Sequence, residues 1–168
     1  TPEAPTLDAA LGGEPAAQTH AVTTADIRLA RDQLTTSSSS RLGVVSLGTP
    51  HYSVAEFRRV VDVLDDRLIH PSVQLYINTG RSVANEIALR GWTPRLHPSR
   101  VQIVTDTCTY ITPIIEAVDG IAMTDSAKWA YYAPGNLGID VAFGSVEDCI
   151  ESAVRGEIVR DESVWADA

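Results

Sequence analysis

A histidine, an arginine, a cysteine and a lysine stand along the middle of this chain, each just beyond a short apolar run. His51 stands in Gly48-Thr49-Pro50-His51, and Arg81 in Asn78-Thr79-Gly80-Arg81-Ser82. Cys108 stands in Thr105-Asp106-Thr107-Cys108, and Lys128 in Thr124-Asp125-Ser126-Ala127-Lys128. An imidazole moves protons near neutral pH. A guanidinium or ammonium holds a carboxylate or phosphate. A thiolate binds a soft metal or acts as a nucleophile. Ser126 lies two residues before Lys128 and pairs a hydroxyl with an amine, a combination able to handle protons. Four such loops reaching one place would make a site for a small polar or anionic molecule.

Each residue also has a plainer reading. His51 follows a proline and precedes a helix start, where a histidine commonly serves as a structural hydrogen-bonding group. Arg81 opens a helix, the end at which a cation is unfavourable, so an anion is expected between the two. Cys108 lies among threonines, and ligand, nucleophile and inert thiol all remain open. Cys149 falls one turn into a helix and reads as a buried thiol. A hydrolase built on Cys108 and His51 is possible by residue type, but no nucleophile-elbow sequence accompanies it. No Gly-x-Gly phosphate fingerprint is present, so a dinucleotide site has no support.

The elements that must position these residues follow from hydrophobic patterning. Apolar, β-branched runs occur at Val44–Leu47, Val73–Ile77, Val101–Val104, Ile121–Met123 and Val141–Phe143. Ser53 and Glu56 form a capping box, followed by Val54, Phe57, Val60, Val61 and Leu64 at helical spacing. Helices are expected from Arg81 to Arg90, from Tyr110 to Val118, and from a Ser145 cap to about Gly156. Strands alternating with helices give an α/β fold, a parallel-rich sheet of about five strands with helices on both faces. Val45, Leu75, Ile103 and Val141 are expected in its core. Ligands of such sheets bind beyond the carboxyl ends of the strands, where His51, Asn78, Arg81, Cys108 and Ser126 fall. Residues 1–40 read as an entry segment with a short helix from Thr24 to Leu34, ahead of an α/β domain over 41–168. The chain opens without methionine and is expected to be one excised domain of a longer protein.

With 168 residues and 44% apolar content, the chain can bury one core. Its net charge of −9 disfavours nucleic acid as a partner. No apolar run is long enough for a membrane helix, and no signal sequence is expected. Two cysteines make no disulfide framework, so a reducing, cytoplasmic compartment is the default expectation.

The strings LGTPHYSVAEF, TDTCTYITPI, GIAMTDSAKWAYYAPG and FGSVEDCIESAVRGE, in this order, resemble the C-terminal part of the aconitase X proteins. The opening TPEAPTLDAALGG resembles the same family. This likeness implies an aconitase-like α/β domain of an iron–sulfur hydro-lyase, working with N-terminal and small swivel domains absent here. The family's activities are dehydration of cis-3-hydroxy-L-proline and of mevalonate 5-phosphate. A non-catalytic ligand- or partner-binding module is the reading from a different class. The resemblance makes Cys108 the foremost cluster ligand and raises Cys149 to a second. Many members have Gly-Cys-Pro-His where this chain has Gly48-Thr49-Pro50-His51. Thr49 supplies no thiolate, which favours a 2Fe–2S over a 4Fe–4S cluster and the hydroxyproline substrate. The isolated fragment is expected to be inactive. For the chemistry, Ser126 is the expected base, His51 the donor to the departing hydroxyl, and Lys128 the residue that tunes the base or holds the carboxylate. Asn78, Arg81, Ser82 and Thr49 are the expected substrate-binding residues.

Overall fold

The computed structural model describes residues 3–115 and 119–165. The apolar runs become strands because their β-branched side chains pack on both faces of a covered sheet. They are β1 (Leu42–Tyr52), β2 (Gln74–Thr79), β3 (Val101–Thr105), β4 (Ile121–Thr124) and β5 (Val141–Phe143). All neighbours pair in parallel, in the order β3-β2-β1-β4-β5. The helices are α1 (Leu7–Leu11), α2 (Thr24–Gln33), α3 (Val54–Leu64), α4 (Arg81–Leu89), α5 (Thr93–Leu96), α6 (Ala127–Leu137) and α7 (Val146–Arg155).

Alternation along the strands divides the core in two. Val45, Leu47, Leu75, Ile77 and Met123 face α3, α4 and α7, packing with Phe57, Val60, Ile87, Cys149 and Ile150. Val44, Tyr76, Ala122 and Val141 face the other way, onto Trp129, Ala130 and Ala133 of α6 and onto Tyr110. The Ser53–Glu56 capping box forms as expected, and Ser145 with Asp148 makes another at α7.

Four local expectations are corrected. Ile103 is only partly buried, because β3 is an edge strand with a neighbour on one side. Residues 110–115 are turns rather than helix, and 116–118 lie outside the described residues. Pro113 accounts for this: it lacks an N–H and pushes Thr112 away from helical geometry. The stretch after Ser126, read as loop, is α6 despite Pro134 and Gly135, its start fixed by the Ser126 cap. The helix that opens at Thr24, which as a threonine could itself be the cap, is capped by Thr23 instead. Among the described residues no helix is long and apolar enough to cross a membrane.

Candidate active site

β1 lies at the centre of the sheet, so the loop at its end is flanked by the ends of both β2 and β4. Its register breaks between Leu47 and Tyr52, and the Thr49–Pro50 peptide there is cis. Gly48 makes the turn at φ +79, with its α-carbon pressed so closely on Asn78 that a Cβ would lie 2.3 Å from the Asn78 carbonyl oxygen. Only glycine meets both demands.

This break presents Thr49 and His51 to the loop that follows β3. The Thr49 hydroxyl lies 3.0 Å from Cys108 Sγ. His51 Nε2 lies 3.1 Å from the Thr107 carbonyl oxygen. A carbonyl only accepts, so Nε2 carries the proton, and Nδ1 is the nitrogen left to exchange one. Beneath them a buried polar network anchors the Cys108 loop. Thr109 Oγ1 accepts from Trp129 Nε1 at 2.9 Å and shares a 2.7 Å hydrogen bond with Ser46 Oγ. The Thr109 N–H donates to Asn78 Oδ1 at 3.2 Å, and Asn78 Nδ2 donates to the Leu47 carbonyl at 2.8 Å.

Two cavities open at this edge. One, of about 380 Å³, is lined by Cys108, Thr49, His51, Lys128, Tyr110 and Ile111 among others. The second, of about 410 Å³, shares Thr49, Pro50, His51 and Lys128 with it and adds Tyr52, Glu56, Asp125 and Ser126. Cys108, His51, Lys128, Ser126 and Thr49 therefore meet in one place.

The other expected residues stand differently. Asn78 is fully buried and its amide is spent on the network, so it shapes the site from below. Arg81 finds its anion within the chain: Asp106 accepts from the Arg81 backbone N–H at 2.9 Å and pairs with its guanidinium at 2.8 Å. Ser82 is exposed on α4 and is not among the residues lining either cavity. Ser126 is the N-cap of α6; its hydroxyl donates to the Thr49 carbonyl and accepts from Trp129 N at 3.1 Å. Cys149 is fully buried on the sheet face opposite Cys108, and burial, with Asp125 and Asp148 nearby, drives its thiol well up from its ordinary value. The two sulfurs share no site, and among the described residues no three His, Cys, Asp or Glu side chains gather as a metal site.

Asp125, to which sequence reasoning assigns no role, stands beside Ser126 at the end of β4. Its Oδ2 accepts from the Tyr52 hydroxyl, while its Oδ1 is buried without a hydrogen-bond partner. Burial pushes its carboxyl up to about 6, reinforced by Glu56 and opposed by Tyr52 and the backbone N–H groups of Asp125 and Gly48. The signal available was position: a carboxylate directly at the end of a strand.

Residues 42–155 match the family model described as the aconitase X third domain. The chain belongs to the aconitase X family. A cis-3-hydroxy-L-proline dehydratase of Pseudomonas aeruginosa is 35% identical over 167 residues, covering 98% of this chain and 29% of that protein. A phosphomevalonate dehydratase large subunit of Methanothermobacter thermautotrophicus is 30% identical over 118 residues, covering 70% of this chain and 29% of that one. The fold also matches a crystal structure of Thermococcus kodakaraensis aconitase X in its holo-form, with TM-score 0.65 and 24% identity over 77% of this chain and 33% of that one. The chain thus spans under a third of the length of these aconitase X relatives.

Proposed function

We propose that this domain forms one wall of the active site of a hydro-lyase that removes water from cis-3-hydroxy-L-proline. The observation that carries the reading is the meeting of Cys108, Thr49, His51 and Lys128 around one cavity. The Pseudomonas relative, similar over nearly the whole chain, supports the substrate.

Dehydrating a 3-hydroxy acid breaks a C–H bond beside the carboxylate and a C–O bond next to it, and forms a C=C bond between those carbons. Lys128 makes no ion pair among the described residues and is the cation left to hold the carboxylate, since Arg81 is paired with Asp106. His51, fixed through Nε2, offers Nδ1 for proton exchange with the departing hydroxyl. Ser126 holds α6 and the Thr49 carbonyl in place, and a base from outside this chain takes the proton that Ser126, with its hydroxyl committed, is poorly placed to take.

The residues fit an iron–sulfur cluster in one respect. Cys108 is a partly buried thiol at the cavity, while Cys149 lies on the other face. Cys108 would be one ligand and the remaining thiolates would come from another domain. Thr49, which stands where many family members have a cysteine and supplies no thiolate, favours a 2Fe–2S type. When bound, such a cluster supplies a Lewis-acidic iron at the departing oxygen.

The test is a turnover assay of the full-length anaerobic protein on cis-3-hydroxy-L-proline and on mevalonate 5-phosphate. Dehydration of the first is expected. Turnover of the second alone, or of neither, would overturn the reading.

A further inference from the structure

We propose that Asp125 is a substrate-binding residue of this site, its free Oδ1 receiving the protonated ring nitrogen of a cyclic amino acid. The inference rests on the reading of the site as one for cis-3-hydroxy-L-proline and assigns the group that recognises its amine.

Tyr52 supplies the one side-chain donor to the carboxylate among the described residues, while the backbone N–H groups of Gly48 and Asp125 favour its charged form from nearby. Tyr52 is buried at the end of β1, edge-on to Phe57, and donates to Oδ2. That bond fixes the carboxylate and leaves Oδ1 as its open valence. Oδ1 is buried, with no hydrogen-bond partner among the described residues. A buried carboxylate oxygen without a donor is costly, and folded proteins leave few of them. A donor from a ligand removes the cost.

The surroundings specify what kind of donor. The same cavity is lined by Glu56, already committed to the Ser53 cap, and by Lys128. Arg59, whose charge reaches Asp125, is bound to Glu147 at 2.6 Å. No cation of the described residues pairs with Asp125, so its end of the cavity is acidic and wants a positive charge. Lys128 lines the same cavity without an ion pair to it. One unpaired cation and one half-satisfied anion, kept apart across a single cavity, are complementary to a zwitterion: carboxylate toward Lys128, ammonium toward Asp125. A phosphorylated hydroxy acid has no cation for Asp125.

The experiment measures binding of three non-reacting ring acids to the full-length protein by calorimetry: L-proline, cyclopentanecarboxylate, which lacks the nitrogen, and tetrahydrofuran-2-carboxylate, which has an acceptor in its place. The wild type is expected to prefer L-proline by at least about ten-fold, as a charge-assisted hydrogen bond would give, with the furan acid weakest. Asp125→Asn keeps an acceptor for Tyr52 and should bring L-proline down to the level of cyclopentanecarboxylate, leaving the latter unchanged. Equal binding of L-proline and the furan acid by the wild type overturns the proposal without need of any variant. So does a preference that survives in Asp125→Asn. Those results in an enzyme that still dehydrates cis-3-hydroxy-L-proline sink only the role of Asp125. Failure of the wild type to turn over that substrate sinks the functional reading.

Discussion

The hydroxyl of Thr49 and the sulfur of Cys108 lie 3.0 Å apart, although one comes from the register break in β1 and the other from the loop after β3. The hydroxyl is within hydrogen-bond distance of the sulfur and orients it toward the cavity that both residues line. Thr49→Val should therefore slow alkylation of Cys108 by iodoacetamide at neutral pH, by about three- to ten-fold for the loss of one hydrogen bond. Thr49→Ser should restore the rate. Cys149, fully buried, serves as the unreactive internal reference.

The separation of the two cysteines onto opposite sheet faces predicts different outcomes for serine at each. In the full-length protein, Cys108→Ser should lower iron per protein and abolish dehydration with little change in stability, because the residue is partly exposed in a loop. Cys149→Ser should retain iron but cost about 1–3 kcal/mol, since it buries a hydroxyl in an apolar core. Metal analysis alongside urea denaturation distinguishes the two. Loss of iron in Cys149→Ser would bring that residue back as a ligand.

Burial along neighbouring strands sets the cost of shortening a side chain. Ile77 on β2 is fully buried, whereas Ile103, its partner on β3, is partly exposed at the sheet edge. Ile77→Ala should cost roughly 2–5 kcal/mol. Ile103→Ala should cost about half as much, because less apolar area leaves water there on folding. Chemical denaturation of both variants checks the order.

The carboxyl of Asp125 sits at about 6 in the folded chain against an ordinary value of 3.8, chiefly through burial. Tyr52, Glu56, Arg59 and the thiol of Cys149 are the titratable groups whose fields it shares. The folded state therefore binds this proton more tightly than the unfolded one. Its contribution to stability is fully present below pH 3.8 and lost as the pH rises through about 6. Relative to the wild type, Asp125→Asn should gain up to about 3 kcal/mol of stability between acid and neutral pH. Denaturation curves of both proteins at matched pH values test this. A constant difference across the range would show that Asp125 does not carry the linkage.

The sheet was legible because its signal is local. Each strand is a β-branched run, and Ser53 with Glu56 or Ser145 with Asp148 marks the helix that follows. α6 was not, because Pro134 and Gly135 contradict a helix that the Ser126 cap and the burial of Trp129 enforce from outside the segment. The site divides the same way. Cys108, His51 and Lys128 declare themselves by residue type and by following a strand. The partners that decide their chemistry are long-range: Thr107 for His51, Asp106 for Arg81, Tyr52 for Asp125. No spacing in the sequence records that the Ser126 hydroxyl is occupied or that Cys149 faces away. Those facts belong to packing.

Gly48 limits how this site can diversify. Any side chain at that position collides with the carbonyl of Asn78, and the left-handed backbone there resists replacement even if β2 yielded. Along β1 the first position past this glycine that can carry a side chain to the cavity is Thr49, whose hydroxyl lies against the sulfur of Cys108. A lineage that substitutes Thr49 thus alters the neighbour of its sulfur and the shape of the entrance in the same step.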